Sequence, residues 1–302
     1  EIFAGIIREL MGEKPFAFGA NAADSVECIL FEDGDEKLLS LVNLQEDFHT
    51  MPAVDTEVWV ASDRAPKAVC SLPDEKPVAY RYEDGKVKIL LSVEGGEIFE
   101  GKAERVHEFY GYGVRMAALT WNNENEIGHS AKSGSKEGIK PVGWEILRAM
   151  AELKMAADTS HLNEAGFWDL IDKHSQPPMA SHSCATALCS HFRNLTDEQI
   201  RAMVKRGGWI GVNFYPSFLS PDGKASISTI CDHIDYMCQL GAEKNVGFGS
   251  DFDGIETTPV DCKSPADVPK ILDELRRRGY SEEALADIAG NNFLNYYRRL
   301  GW

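Results

Sequence analysis

From residue 87 onward, short apolar runs alternate with longer amphipathic segments, and this alternation restricts the fold more than any other feature. Short apolar runs bounded by polar or glycine-rich segments are typical of buried strands. Six such runs occur, at 87–93, 114–119, 155–159, 178–181, 209–214 and 246–249. Amphipathic helices are predicted at 144–154, 164–173, 197–205, 227–240, 266–278 and 282–289. Strands that alternate with helices indicate successive βα units, and we therefore predict an α/β fold with a parallel sheet.

Residues 1–86 show a different pattern. Apolar stretches at 26–31 and 37–42 flank the turn sequence Glu32-Asp33-Gly34-Asp35, and Tyr82-Glu83-Asp84-Gly85 marks a second turn. These are hairpin signals, and hairpins form antiparallel sheet, whereas parallel strands need a crossover of a dozen or more residues. We therefore predict a domain boundary near residue 86, with a β-rich segment at 1–86 and a βα domain at 87–302.

The charge of the chain argues against two classes of partner. The formal net charge is −17 at pH 7, and the sequence has no basic patch outside the arginines at 276–278, which end a predicted helix. A phosphate backbone or an anionic membrane surface would repel such a chain. We therefore expect neither nucleic acid nor membrane as a partner.

The cysteines bear on the location of the protein. The chain has seven, an odd number, and none forms a Cys-x-x-Cys pair. This pattern favours reduced thiols over a secreted disulfide framework. Since no signal-peptide core or membrane-spanning apolar run is visible, we expect a cytoplasmic location.

Polar residues with metal-binding chemistry follow the predicted strands directly. Glu94, Asn122, His161, His182 and Asp251 all stand at such positions, where βα folds gather their functional groups. Carboxylate and imidazole donors suit zinc, and zinc-activated water is a nucleophile. Taken alone, each histidine is more often a hydrogen-bonded structural residue than a ligand. It is their joint occurrence with Glu94 that favours a metal site.

Three other polar residues have structural interpretations that remain open. Asp158 can be interpreted as a structural residue and Asp251 as a turn or helix cap. Arg193 can be interpreted as a surface residue near a helix start. The remaining histidines read as solvent-facing or packing residues.

Several motifs of the chain resemble the membrane (renal) dipeptidases, which are binuclear zinc peptidases built on a TIM barrel. The matching segments are Leu90-Leu91-Ser92-Val93-Glu94-Gly95-Gly96, Asp158-Thr159-Ser160-His161, Ser181-His182-Ser183, Arg193-Asn194, Val212-Asn213-Phe214-Tyr215 and Gly247-Phe248-Gly249-Ser250-Asp251-Phe252-Asp253-Gly254. They occur in the family's order. The resemblance implies a TIM-type (β/α) barrel over residues 87–302 and a small dipeptide as substrate.

The resemblance also implies a role for each site residue. Glu94 resembles the carboxylate that bridges both zinc ions, while His161 and His182 resemble the two ligands of the second ion. Arg193 resembles the residue that binds the substrate carboxylate through its guanidinium fork. Asp251 resembles the acid near the substrate amine and the leaving group, so Glu94 and Asp251 are the expected catalytic carboxylates.

Two departures from the family pattern affect the expected activity. No His-x-Asp pair precedes Glu94, although the family places such a pair, which binds the first metal, after its first barrel strand. Trp121 occupies the position where some members carry an oxyanion-stabilising His, and Asn122 or Asn123 could donate there instead. One zinc ion rather than the family's two would then remain.

The number of strands agrees with this loss. Six βα units are present where eight close a TIM barrel, and the missing two are those that carry the first-metal ligands. Open parallel edges favour association, so a homo-oligomer is a possible state.

The leading hypothesis is a zinc-dependent dipeptidase that uses metal-activated water and is impaired by the missing pair. One alternative is a catalytically inactive barrel that acts as a binding module, and another is a different amidohydrolase-type metal hydrolase. Residues 1–86 resemble, more faintly, the small β-sandwich at the carboxyl end of some glycoside hydrolases.

Overall fold

A computed structural model of the chain describes residues 91–301 except residue 253, with side chains from residue 92 onward. Ahead of residue 91 it describes only strand backbones, at Phe18–Ala20, Val26–Asp33, Glu36–Asn43, Val58–Val60, Cys70–Ser71, Lys76–Pro77, Arg81–Glu83 and Lys86–Lys88. These strands form antiparallel pairs, including Val26–Asp33 with Glu36–Asn43, which confirms the first predicted hairpin.

Six parallel strands form the sheet that carries the candidate site. They are β1 (Leu91–Glu94), β2 (Val114–Ala118), β3 (Ala156–Asp158), β4 (Met179–Ala180), β5 (Trp209–Val212) and β6 (Val246–Phe248). Each strand pairs with the next one in the chain, so the order in the sheet is the order in the sequence. The predicted α/β class with a parallel sheet is confirmed, and all six strands end at the same edge.

The predicted strand at 87–93 is wrong, because two strands share this stretch. Lys86–Lys88 pairs antiparallel with Arg81–Glu83, and the parallel strand β1 begins only at Leu91. The Asp84-Gly85 dipeptide favours a tight hairpin. The residues that directly follow it therefore pair in the hairpin and do not join the six-stranded parallel sheet. Since this hairpin extends across residue 86, the domain boundary near that residue stays a prediction.

Helices connect the strands and cover the sheet. They are α1 (Ala103–Gly111), α2 (Pro141–Glu152), α3 (Glu164–Lys173), α4 (Asp197–Lys205), α5 (Pro216–Leu219), α6 (Ile227–Gln239), α7 (Val268–Arg277), α8 (Glu282–Ala286) and α9 (Asn292–Leu300). Short 3₁₀ turns lie at Gly96–Phe99, Ala131–Ser133 and Pro265–Asp267, and a π turn lies at Asp287–Asn291. Helices α3 and α4 have the predicted bounds, whereas α1, α5 and α9 were not predicted.

The start of α4 shows why its bounds could be predicted. The Thr196 hydroxyl accepts a hydrogen bond from the Gln199 backbone N–H, and the Gln199 side chain accepts one from the Thr196 N–H. This reciprocal pair satisfies two backbone donors that the first helical turn leaves without partners. No helix among the described residues combines the length and apolarity needed to cross a membrane.

Two large apolar clusters fix the sheet against the helices. One contains Ile210 and Val212 of β5 with Ile200, Met203, Ile230, Ile234, Ile271 and Leu275 of the helices around it. The other joins Ala117 of β2 to Phe109, Ile146 and Met150. A fully buried side chain of this size stabilises a fold by about 1.5–3 kcal/mol. The strand ends that carry the site are therefore held by a rigid core.

Two glycines let the ends of β4, β5 and β6 approach each other closely. A Cβ atom at Gly211 or at Gly249 would overlap the carbonyl oxygen of Ser181. The Ser183 backbone N–H donates to the Gly211 carbonyl at 2.8 Å, and the Gly249 N–H donates to the Val212 carbonyl at 3.1 Å. Since Ser181 precedes His182, these glycines set the position of a candidate ligand.

We expect Gly211→Ala to lower the free energy of unfolding by about 1–3 kcal/mol, because the strands would have to separate around the methyl group. The melting temperature should fall by about 2–4 °C per kcal/mol, as measured by differential scanning calorimetry. Gly290→Ala is the matched control, since a Cβ there meets nothing within 4 Å. Equal melting temperatures for the two variants would contradict the close-approach argument.

Candidate metal centre and substrate site

Three side chains converge at the carboxyl edge of the sheet. Glu94 is the last residue of β1, and His161 and His182 follow β3 and β4. The Nε2 atom of His161 lies 3.0 Å from Glu94 Oε1 and 3.0 Å from His182 Nε2. The distance from His182 Nε2 to Glu94 Oε1 is 3.3 Å. The structure thus brings together the three residues that the sequence predicted as ligands, with one donor atom from each within 4.8 Å of the others.

The backbone at two site residues adopts a conformation that is rare for side chains other than glycine. His161 has a φ of 69° and Asp251 a φ of 60°, both in the left-handed region. Such conformations cost free energy and persist where the surrounding structure holds them. At His161, the Ala131 backbone N–H donates to the carbonyl oxygen at 2.7 Å and helps to fix the turn.

The electrostatics of the cluster favour forms that bind a cation. Contacts with His161 and His182 hold the pKa of the Glu94 carboxyl well below its usual range, although partial burial opposes them. Burial lowers the pKa of His161, and this effect exceeds the opposing contact with Glu94. At neutral pH the carboxyl is therefore ionised and the His161 imidazole neutral, which are the forms that metal ions require.

Asn122 lies against His161. Its Oδ1 atom is 3.2 Å from His161 Nδ1, and its own carbonyl oxygen accepts a hydrogen bond from the Ser130 hydroxyl at 2.8 Å. The sequence indicated a substrate-binding role for Asn122 and gave no sign of this contact. Trp121 is 44% exposed, and its ring centroid lies 6.5 Å from that of His161.

His182 is also held from its outer side. Its Nδ1 atom lies 2.7 Å from Ser181 Oγ, and that hydroxyl makes a second, short hydrogen bond to the Asp158 carboxylate. The sequence indicated only a structural role for Asp158. The structure places this acid one hydroxyl away from the ring of a candidate metal ligand.

Arg193 is a buried cation that lacks a close anionic partner among the described residues. Its side chain is 6% exposed, its NH2 group is 3.5 Å from the His182 carbonyl oxygen, and its Nε atom has no hydrogen-bond partner in the described part of the chain. Burial lowers its pKa to about 10, so the guanidinium stays charged at neutral pH. A buried N–H without a partner is costly, and an anion that enters the site would satisfy it. The surface position considered from the sequence is therefore wrong.

Asp251 follows β6 and faces the same cavity as Glu94 and His182, which has a volume of about 180 Å³. The Asn213 amide donates to Asp251 Oδ2 at 3.1 Å, and Asn213 Oδ1 accepts from the Tyr215 backbone N–H at 2.6 Å. Burial raises the pKa of Asp251. A carboxyl with a raised pKa can exchange protons closer to neutral pH than an exposed one.

One His-x-Asp triplet does occur in the chain, at His233-Ile234-Asp235, but it lies on α6 outside the site. His233 Nδ1 accepts a hydrogen bond from the Ala185 backbone N–H at 3.1 Å, and Nε2 donates to the Leu219 carbonyl at 3.0 Å. Asp235 pairs with Arg278 and accepts a hydrogen bond from a tyrosine hydroxyl. The triplet therefore joins outer elements of the fold and does not replace the pair that the family places first.

A parallel βα sheet with a Glu-His-His cluster at its carboxyl edge is an arrangement typical of metal-dependent hydrolases built on TIM-type barrels. The sequence model of the membrane dipeptidase family (Peptidase family M19) matches residues 65–300, and the chain belongs to this family. The resemblance found in the sequence is confirmed. The matched region begins ahead of the predicted boundary at residue 86.

Relatives and solved structures support this assignment. A Klebsiella pneumoniae protein described as uncharacterised, in the pqqA 5′ region, is 36% identical over 72% of this chain and 84% of its own length. An uncharacterised dipeptidase of Schizosaccharomyces pombe is 31% identical over 77% of this chain and 58% of its own length. A Rhodobacter sphaeroides metallopeptidase, solved with a phosphinate mimic of the dipeptide L-Ala-D-Ala, is 30% identical with a TM-score of 0.67. That match covers 70% of this chain and 63% of the other.

The chain thus spans less than two thirds of the length of the last two proteins, and the fold they share with it is the TIM-type barrel. The described part of this chain contains six parallel strands of that barrel.

If Asn122 positions His161, Asn122→Ala should lower zinc affinity roughly 10- to 100-fold, as is usual when a partner of a ligand is removed. Asn122→Asp, which keeps an acceptor oxygen, should retain most of the affinity. Competition with a chromophoric chelator measures both. Unchanged affinity in Asn122→Ala would contradict the positioning role and favour the substrate-binding role expected from the sequence.

Proposed function

We propose that the chain binds zinc through Glu94, His161 and His182 and forms the substrate-binding and metal-binding part of a dipeptidase. The observation that carries the proposal is the convergence of one oxygen and two ring nitrogens at one point of the strand edge. Membership of the membrane dipeptidase family supports the reaction class.

The donor set fits zinc in chemistry and in spacing. Zinc binds carboxylate oxygen and imidazole nitrogen at roughly 2.0–2.2 Å in tetrahedral sites, which places neighbouring ligand atoms about 3.3 Å apart. The three distances between these donor atoms are 3.0, 3.0 and 3.3 Å. Two of the three side chains are buried and supported by further hydrogen bonds, as metal ligands commonly are.

Each residue around the cluster has a task in peptide hydrolysis. A divalent cation held there would acidify water and polarise the peptide carbonyl. Arg193 offers its guanidinium, whose Nε lacks a hydrogen-bond partner among the described residues, to the substrate carboxylate, which selects a short peptide with a free carboxyl end. Asp251 faces the same cavity, and burial raises the pKa of its carboxyl, which favours a role in proton transfer to the departing amine. Asn213 fixes the Oδ2 atom of Asp251 through its amide N–H.

A reduced activity follows from the ligand set. Within the described residues, Glu94, His161 and His182 are the only group of three His, Cys, Asp or Glu side chains spaced to hold a metal. A single ion held by these residues would still activate water, but it would not supply the clamp on nucleophile and carbonyl that two ions give. The same loss favours the alternative that the barrel is an inactive binding module.

Location and assembly stay predictions from the sequence. Five cysteines among the described residues are free and buried, which is compatible with the reducing cytoplasm. A homo-oligomer is expected from the open sheet edges, and the net charge of −17 disfavours nucleic acid and membrane partners.

We expect the purified protein to hold close to one zinc ion per chain after dialysis, as measured by elemental analysis. A chelator should remove the ion, and added zinc should restore it, because the ligands are preorganised. Two tightly bound ions would show that the ligand set is incomplete. A protein that binds no zinc would favour the inactive binding module.

Dipeptide hydrolysis by the zinc-loaded chain should be weak or undetectable. Grafting the two missing βα units of a family member, with their His-x-Asp pair, in place of residues 1–86 should restore turnover.

In that repaired enzyme, Arg193→Ala should raise KM and lower kcat/KM roughly 10- to 150-fold, because a charged hydrogen bond is worth about 1.5–3 kcal/mol. Arg201→Ala, which removes an exposed arginine of α4, is the matched control. Ordinary dipeptidase rates in the unmodified chain would contradict the argument from missing ligands, and a two-zinc graft without turnover would contradict the reaction class.

A further inference from the structure

Asp158 is a buried acid at the end of β3 whose two oxygens both receive hydrogen-bond donors. Its Oδ1 atom accepts from the backbone N–H groups of Ser160, at 2.9 Å, and of Ser181, at 2.8 Å. Its Oδ2 atom accepts from the Ser181 hydroxyl. The residue is 1% exposed. Three donors on one carboxyl fit the ionised form, which can only accept hydrogen bonds.

The direction of the next hydrogen bond follows from the single proton of the Ser181 hydroxyl. Because the Asp158 carboxylate takes this proton, the Ser181 oxygen can only accept from His182 Nδ1, which lies 2.7 Å away. The Ser160 hydroxyl oxygen is more distant from Ser181 Oγ, at 3.3 Å, and it accepts from the His182 backbone N–H at 3.0 Å. The Nδ1 atom of His182 therefore carries a proton.

A proton on Nδ1 leaves the lone pair of a neutral imidazole on Nε2. That atom is the one that faces Glu94 Oε1 and His161 Nε2. The opposite tautomer would place a proton between the three donor atoms, where a cation has to bind. The tautomer of His182 thus decides whether the cluster can act as a ligand set.

We propose that Asp158 is a positioning residue for metal binding, which acts through the Ser181 hydroxyl to keep the proton of His182 on Nδ1. The inference rests on the proposed zinc site and deepens it, because it assigns a role to an acid that contacts no ligand atom directly. The two backbone hydrogen bonds to Oδ1 hold the carboxylate in place, so the whole chain of contacts is set by the ends of β3 and β4.

The substitution Asp158→Asn separates this role from a structural one, because it reverses the relay while keeping size and shape. The amide oxygen can still accept from both backbone N–H groups, and the amide N–H₂ then donates to Ser181 Oγ. We expect the freed Ser181 hydroxyl to donate its proton to His182 Nδ1 at 2.7 Å, which is nearer than the Ser160 hydroxyl at 3.3 Å. His182 then carries its proton on Nε2, toward the metal.

Ser181→Ala gives a second variant with the carboxylate intact. It removes the link but leaves Asp158 with its two backbone hydrogen bonds. His182 should then lose its preference for one tautomer without acquiring the opposite one. The matched control is Ser183→Ala, which removes the buried hydroxyl of the residue after His182; in the described part of the chain, this hydroxyl makes no hydrogen bond to either histidine ring.

Two measurements test the proposal. Nitrogen-15 NMR of the histidine rings in metal-free protein should show His182 Nδ1 protonated in the unmodified chain and unprotonated in Asp158→Asn. Zinc affinity, from chelator competition, should fall roughly 10- to 100-fold in Asp158→Asn, less in Ser181→Ala and not at all in Ser183→Ala.

The outcomes distinguish this inference from the proposed function. If the unmodified chain binds no zinc, the zinc site is wrong, while the NMR result still decides the proton position. An unprotonated Nδ1 in the unmodified chain would overturn the relay. It would equally be overturned if Asp158→Asn lowered the melting temperature of the metal-free protein yet left zinc affinity and the His182 ring spectrum unchanged.

Discussion

The site depends on one constraint, which is that polar groups buried at the carboxyl ends of parallel strands must find partners there. His161 and His182 are buried there beside the partly exposed Glu94, and the ring nitrogens that face each other and this carboxylate can share a cation or a proton. The polar residues behind them follow from the same need. Asn122 faces one ring and Ser181 the other, so each imidazole is held at the nitrogen that points away from the cluster.

The positions of the ligands could be predicted from the sequence because they are tied to strand ends. Once an apolar run is identified as a strand of a parallel sheet, the residues after it have a known place, which located His161 and His182. Their role as candidate ligands rested on their joint occurrence with Glu94 and on the family resemblance. Helices α3 and α4 were predictable for a similar reason, since their caps and apolar periodicity agree. The unpredicted helix α9 buries two tyrosines at the amino-terminal end of the parallel strands. Its amphipathic pattern was not identified from the sequence because no strand follows it.

What the sequence could not give are relations between side chains that are distant in the chain. Asp158 and Ser181 are 23 residues apart, and only the pairing of β3 with β4 places the hydroxyl against the carboxylate. The burial of the Arg193 guanidinium could not be predicted for a similar reason, because it depends on the loops that follow β4 and β5. The split of residues 87–93 between a hairpin and β1 shows a different limit, in which a local turn signal and a continuous apolar run compete for the same residues.

The order of the strands in the sheet has a consequence for how the protein reaches its folded state. Because each of the six parallel strands pairs with its immediate successor in the chain, the sheet can grow from one end, although every pairing must first close a crossover connection. The three candidate ligands belong to β1 and to the loops after β3 and β4. These residues are synthesised before β5 and β6, but the position of His182 is set only when Gly211 of β5 and Gly249 after β6 pack against Ser181. A metal that binds only the completed site would therefore stabilise the assembled sheet and favour its late, correctly paired form.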